Sequence, residues 1–196
     1  MHHHLPTLTL LLLTLHTTTS TSTSTSTTSI TNPLIGPTCQ TLPTVIGPNL
    51  DTAYDNYYKT ICSHGCKPVV GGQYTTLISE TILKPSVQTI ATNLGIDASR
   101  IATFLSITDE SMKAVEQHCS ATADYCEDTE AFAEYAACAK GQIFTVITSH
   151  ALDVAVLVSE EVCKKEVEYL GNAEGGFWES VLPGYVDDFW AVCEKW

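Results

Sequence analysis

Eight cysteines, Cys39, Cys62, Cys66, Cys119, Cys126, Cys138, Cys163 and Cys193, constrain what this chain can fold into more than any other feature. An even number of thiols in an exported chain reads as a disulfide framework, because that compartment is oxidising. The count predicts four bridges. Each bridge restricts the unfolded chain and contributes on the order of 2 to 4 kcal/mol. Eight cysteines admit roughly a hundred pairings, so spacing alone does not assign partners.

Export is read from the first residues. Leu5 to Leu15 has the length and composition of the apolar core of a secretory leader, and small residues follow it near Thr17 to Ser20. Residues 1–20 are therefore expected to be a signal peptide. The run is shorter than the roughly 20 apolar residues of a membrane span and is interrupted by threonine, so stable membrane insertion is not expected. Residues 21–38 continue a Ser/Thr-rich tract with too little apolar surface to offset chain entropy. They are expected to form a disordered linker and a candidate site of O-glycosylation. Residues 39–196 are then a single domain, large enough to bury a core of its own. The expected location is extracellular, with cell-wall association as a further consequence of the linker.

All charged side chains lie from Asp51 onward, nine basic against 22 acidic, for a net charge of −13. Binding to phosphate backbones or anionic headgroups rests on Lys and Arg neutralising negative charge, so nucleic acid is not an expected partner.

Apolar spacing places the cysteines on helices. Leu50, Tyr54, Tyr58, Ile61 and Cys62 recur at intervals of three and four, predicting a helix from Asp51, as N-cap, to a stop at Gly65. Met112, Val115 and Cys119 define a second stripe with Thr108 as its cap. Phe132, Tyr135, Ala136 and Ala139 define a third, bordered by Cys138; Val186, Phe189, Trp190 and Cys193 define a fourth. "TTLISETIL" reads as a helix stopping before Pro85, Pro85 opens the next, and Gly95 closes it. Asp97 caps a segment containing Ile101, Phe104 and Leu105. "VVGGQ" and "GNAEGG" are glycine-marked loops, with a strand near Val69 as a weaker alternative. The segment 141–171 is the most apolar, and Ile143, Ile147, Ala151, Val154 and Val158 fall on one stripe, predicting a central core helix that kinks or changes neighbour near Ser159. Its VAVLV run also fits a buried strand. The fold class is all-α: a disulfide-stapled helical domain of about six to eight helices.

"ICSHGC", residues 61–66, carries the densest chemistry. As a metal site it lacks the second close cysteine pair that a structural zinc site needs, and as a redox motif it is one residue longer than C-x-x-C. A direct Cys62–Cys66 bond is strained if the helix reaches Cys66. The expectation is a staple, each cysteine bonded to another helix, with no metal and no cofactor.

The chain resembles the small secreted proteins of filamentous fungi in layout: a leader, a Ser/Thr linker and an acidic disulfide-rich domain. The adjacent cysteine pairs of hydrophobins are absent, and the eight cysteines are spread far wider than in the fungal CFEM domain. No residue role follows from this likeness.

Ser149, His150 and Asp153 offer a hydrolase set, yet neighbouring helical positions diverge by about 100° and no G-x-S-x-G elbow precedes the serine. His150 is expected instead to be a core histidine bonded to a backbone group or carboxylate. Glu127, Asp128, Glu130 and Glu134 suit a helix N-terminus. Trp178, Tyr185 and Trp196 are the candidate binding residues, because large aromatics supply rigid contact area. The sequence thus points to a secreted, non-enzymatic, effector-like protein binding an apolar small molecule or an extracellular protein. A cell-wall structural role and an extracellular hydrolase are the alternatives.

Overall fold

A computed structural model describes residues 36–119, 124–172 and 176–193, the side chain of Val158 apart. The expected leader, most of the linker and Trp196 lie outside the described residues. Those described are all-helical, with no strand among them.

The first helix, α1, runs Pro37–Ser63, about 40 Å at 1.5 Å per residue. Its start is a correction, since it extends well upstream of Asp51 and passes through Pro43 and Pro48. Proline at the first turn loses no needed N–H, so Pro37 suits the start after Gly36. Interior prolines each remove a rung. What compensates is α7, Glu160–Leu170, packed along the first half of α1. The amide of Thr38 donates to the Glu160 carboxylate at 3.1 Å, Cys39 is bonded to Cys163, and Asn49 Nδ2 donates to the Leu170 carbonyl at 3.1 Å. These contacts ascend both helices together, so the two run parallel. Leu42 is buried between the bonded cysteines, Ile46 and Val167.

Helix α2, Gln73–Ile78, and α3, Lys84–Asn93, are joined without interruption by a π turn, Ser79–Leu83. The expected stop before Pro85 is therefore corrected. In the π turn the Lys84 N–H reaches back to the Ser79 carbonyl. The ladder must then return to normal step, and Pro85, with no N–H to place, stands at that return. The device recurs at the C-terminus, where the π turn Phe177–Val181 precedes α8, Leu182–Cys193, and Pro183 occupies the equivalent position.

Helix α4, Ala98–His118, is capped by Asp97, whose carboxylate accepts from the Arg100 amide at 3.1 Å. It is continuous through Thr108, which donates to the Phe104 carbonyl and caps nothing. Helix α5, Thr129–Ser149, starts at Asp128 and ends at His150. A single turn α6, Ala151–Val154, and a 3-10 turn, Ala155–Val158, lead to Ser159, whose side chain caps α7. The apolar stripe from Ile143 to Val158 is thus broken at His150, and its VAVLV run is neither strand nor regular helix. Ser159 is a second break, where a change of direction was expected. "VVGGQ" is a loop: the Tyr135 hydroxyl accepts from the Val70 amide at 2.7 Å and donates to its carbonyl at 3.3 Å, leaving Val70 nothing to offer a strand partner.

The main core gathers Ile61, Val115 and Phe189 with α2, the start of α5 and the 66–70 loop. Phe132 sits inside it with its ring centroid 4.6 Å from Tyr58 and 5.6 Å from Tyr54. A second cluster joins Ala91, Phe104, Ile107 and Val146. Four disulfides tie these parts: Cys39–Cys163, Cys62–Cys126, Cys66–Cys193 and Cys119–Cys138.

Two glycines separate packing from propensity. A β-carbon on Gly171 would press on the Val167 carbonyl and stand 2.6 Å from Val45 Cγ1, whereas one on Gly141 in α5 meets nothing within 4 Å. Gly171→Ala is expected to lower stability by about 1 to 3 kcal/mol, and Gly141→Ala to raise it by roughly 0.5 to 1 kcal/mol. Thermal melts followed by circular dichroism decide both, and equal effects of the two would contradict the parallel α1–α7 packing.

Candidate functional site

"ICSHGC" ends α1 in a Schellman turn: Cys66 N–H donates to the Ile61 carbonyl and Gly65 N–H to the Cys62 carbonyl, both at 3.1 Å, with Gly65 at φ 73°. The turn points its two cysteines at different targets. Cys62 joins Cys126 in the turn before α5, and Cys66 joins Cys193 on α8, with Cα separations of 5.4 and 6.0 Å. His64 stacks on Trp190 at 4.0 Å with the rings 3° from parallel. Every reactive side chain of the motif has a structural task, and the staple reading holds, except that Cys62 is bonded to a turn rather than to another helix. No group of three His, Cys, Asp or Glu suited to a metal ion occurs among the described residues.

His150 is bonded to carboxylates, as expected, but it is partly exposed rather than in the core. It sits in the break between α5 and α6, where its Nε2 is 3.0 Å from Glu110 Oε2 on α4 and its Nδ1 is 3.1 Å from Asp153 Oδ2 on α6. Hydrogen bonds that the ring donates to the Glu110 and then the Asp153 carboxylate raise its pKa above 6.5. The Ser149 hydroxyl donates to the Val146 carbonyl at 2.6 Å. With both ring nitrogens facing carboxylates and the serine bonded elsewhere, Ser149, His150 and Asp153 do not form a nucleophile–base pair.

The acidic run serves a helix terminus. Asp128 accepts from the Ala131 amide at 2.9 Å, and Glu130 lies in the first turn of α5. Sequence reasoning missed Glu166. It is buried on α7, one carboxylate oxygen has no hydrogen-bond partner, and burial pushes its pKa from 4.5 to about 7. Flanking Val162, Cys163, Val167 and Leu170 gave the face away; the charge at 166 concealed that it belonged to it.

The aromatic candidates fall apart in space. Trp178 is half-buried in the second π turn, meets Phe177 edge-on at 5.2 Å, and donates its indole N–H to the Leu170 carbonyl at 2.6 Å, closing the end of α7. Tyr185 shares a 2.7 Å hydrogen bond with Thr89 and lines an open groove of about 350 Å³ with Pro85, Gln88, Thr92 and Asn93. A second open groove of about 530 Å³ runs beside the "VVGGQ" loop between Lys67 and Glu116.

The largest exposed apolar side chain among the described residues is elsewhere. Leu152, on α6 directly after His150, is 91% exposed. After it in the chain, Val154, Val156 and Leu157 are only partly covered against the cluster of Phe104, Ile107 and Val146. The part of the most apolar segment from Ala151 to Leu157 therefore lies at the surface, while Val146 before it and Val162, Cys163 and Leu170 after it are buried. Leu152 is not among the residues that the apolar stripe gathers, so its exposure accords with that spacing.

No family model, no curated protein and no solved structure matches the chain.

Glu166 gives a signed pH prediction. Its folded-state pKa lies above its unfolded value of 4.5, so its contribution is fully present below about pH 4.5 and declines as the pH rises toward about 7. Glu166→Gln should stabilise the protein at pH 8 by on the order of 1 kcal/mol, with the gain shrinking or reversing at pH 4.5. Denaturant melts at the two pH values test this, and a pH-independent effect would remove the buried-acid assignment.

Proposed function

We propose that this is a secreted, non-enzymatic, effector-like protein that binds an extracellular protein through the apolar ridge at Leu152. The observation carrying it is the 91% exposure of Leu152 when the other large apolar side chains among the described residues are mostly covered. Isolated exposed leucines are common on protein surfaces. Here the leucine is followed in the chain by Val154, Val156 and Leu157, apolar side chains that are themselves only partly covered, and this supports reading the stretch as an interaction surface.

Export is supported by the four disulfides, which persist in oxidising compartments. No helix among the described residues is long and apolar enough to cross a membrane. The net charge of −13 defines the partner's chemistry: an apolar socket with a Lys- and Arg-rich rim, drawn in by the field and seated on the leucine. A second copy of the chain would meet like charge. Tyr185, Trp178 and Trp196 remain the alternative anchors.

The oxidised, leader-free protein, immobilised and exposed to the extracellular protein fraction it encounters, should retain a basic partner saturably. Leu152→Asp should weaken that binding at least tenfold while leaving the melting temperature unchanged, and raising salt should slow association. Retention equal for Leu152→Asp and wild type, with loss on Tyr185→Ala or Trp178→Ala, would move the surface to the aromatic residues. Absence of a saturable partner would sink the proposal.

A further inference from the structure

The ridge depends on how α6 is fastened. α6 is a single turn, and the 3-10 turn after it adds one more. Neither is long enough to be stable by its own backbone bonds. No cysteine lies between Cys138 and Cys163, so no bridge holds this stretch directly. Its attachments to other elements include the partly covered apolar side chains packed with Phe104 and Ile107, the Leu157 carbonyl 3.4 Å from Cys163 Sγ on α7, and His150.

The His150 contacts have a chemical requirement. Glu110 and Asp153, as carboxylates, only accept hydrogen bonds, and they face opposite nitrogens of one ring. A neutral imidazole has one N–H and one lone pair, so it satisfies one carboxylate and turns a lone pair toward the other. Only the imidazolium donates to both. The clamp from α4 through the α5–α6 break to α6 is thus complete in one protonation state.

We propose that His150 is a pH latch for the Leu152 ridge: the protonated ring pins α6 to α4 and presents the leucine on a fixed surface, and loss of the proton releases the turn.

The surroundings do not supply a competing switch. On α4, Asp109 beside Glu110 is engaged by Lys84 at 2.9 Å and by Ser79, and Lys113 lies one turn further on. On α5 the nearest titratable side chain in sequence is Lys140, and the 3-10 turn Ala155–Val158 has none. The raised pKa of His150 agrees in sign: the latch is closed below pH 6.5 and opens as the pH climbs through a higher value.

The latch rests on the ridge being the binding surface only for its purpose, and its test needs no partner. Amide hydrogen exchange of the peptide covering residues 150–158, corrected for intrinsic rates, should show protection falling at least threefold from pH 5.5 to pH 8. Peptides from α1 and α8 serve as controls for the global effect of Glu166. His150→Gln should make protection in 150–158 independent of pH, and Asp153→Asn should lower the His150 pKa read from its imidazole resonances by NMR. Unchanged protection in the wild type, or a His150 pKa at or below 6.5, would overturn the latch even if Leu152→Asp abolishes binding. A confirmed latch beside unimpaired Leu152→Asp binding would instead remove the ridge as the docking surface.

Discussion

Covalent fastening of α1 is the constraint on which the remaining structure depends. The helix is bridged to α7 at its start through Cys39 and to the turn before α5 near its end through Cys62, and Cys66, just past its last turn, is bridged to α8. These links span 124, 64 and 127 residues of sequence. Closing a long loop in the unfolded chain costs more entropy than closing a short one, so these three bridges restrict it far more than Cys119–Cys138, which spans 19. A helix so held tolerates sequence that would break a free one. Pro43 and Pro48 sit in its interior because Cys163, Glu160 and Asn49 fix the segment against α7 from one end to the other.

Elsewhere the chain accommodates its breakers by local geometry. The two π turns place Pro85 and Pro183 where the hydrogen-bond ladder changes step, so the missing N–H of each coincides with a change the backbone already makes. The orphan carbonyls at helix ends are met by side chains from other elements: Trp178 and Asn49 both donate to Leu170, and Lys165 donates to Leu94 at the end of α3 at 3.2 Å. Tyr135 completes the Val70 amide and carbonyl in the same way. These contacts let irregular segments be buried without leaving backbone groups unpaired.

The all-α class and the stapling role of "ICSHGC" were legible because both follow from local rules: apolar period, an even cysteine count, and Gly65 at a helix end. Stripes such as Met112, Val115 and Cys119, or Val186, Phe189 and Cys193, are buried as their spacing required. The extension of α1 was not legible, because proline statistics describe a helix that stands alone and α7 is more than a hundred residues away. Continuity through Pro85 failed for a related reason, since the rule assumes an α ladder rather than a π turn. The stripe from Ile143 onward reads as one continuous core helix, and the chain breaks that helix at His150. Periodicity says which residues share a face, but His150 bound to Glu110 on α4 ends the helix that would have carried that face inward. Cysteine partners were hidden outright, being a property of topology.

Rigidity in one part and a lightly held turn in another are consequences of the same arrangement. Where bridges and aromatic packing concentrate, around Ile61, Phe132 and Phe189, opening any element requires disturbing several others. In the turns from Ala151 to Val158 no described side chain is fully buried and the backbone ladders are short, the features that place a segment at the low end of local stability. A single side chain making two charge-assisted contacts has little influence on a stapled core, but it has a large share in a segment with so few fastenings. His150 stands at that position, at the junction where α5 gives way to the turn that carries the exposed leucine. Electrostatics thus acts most strongly where the covalent frame does not reach.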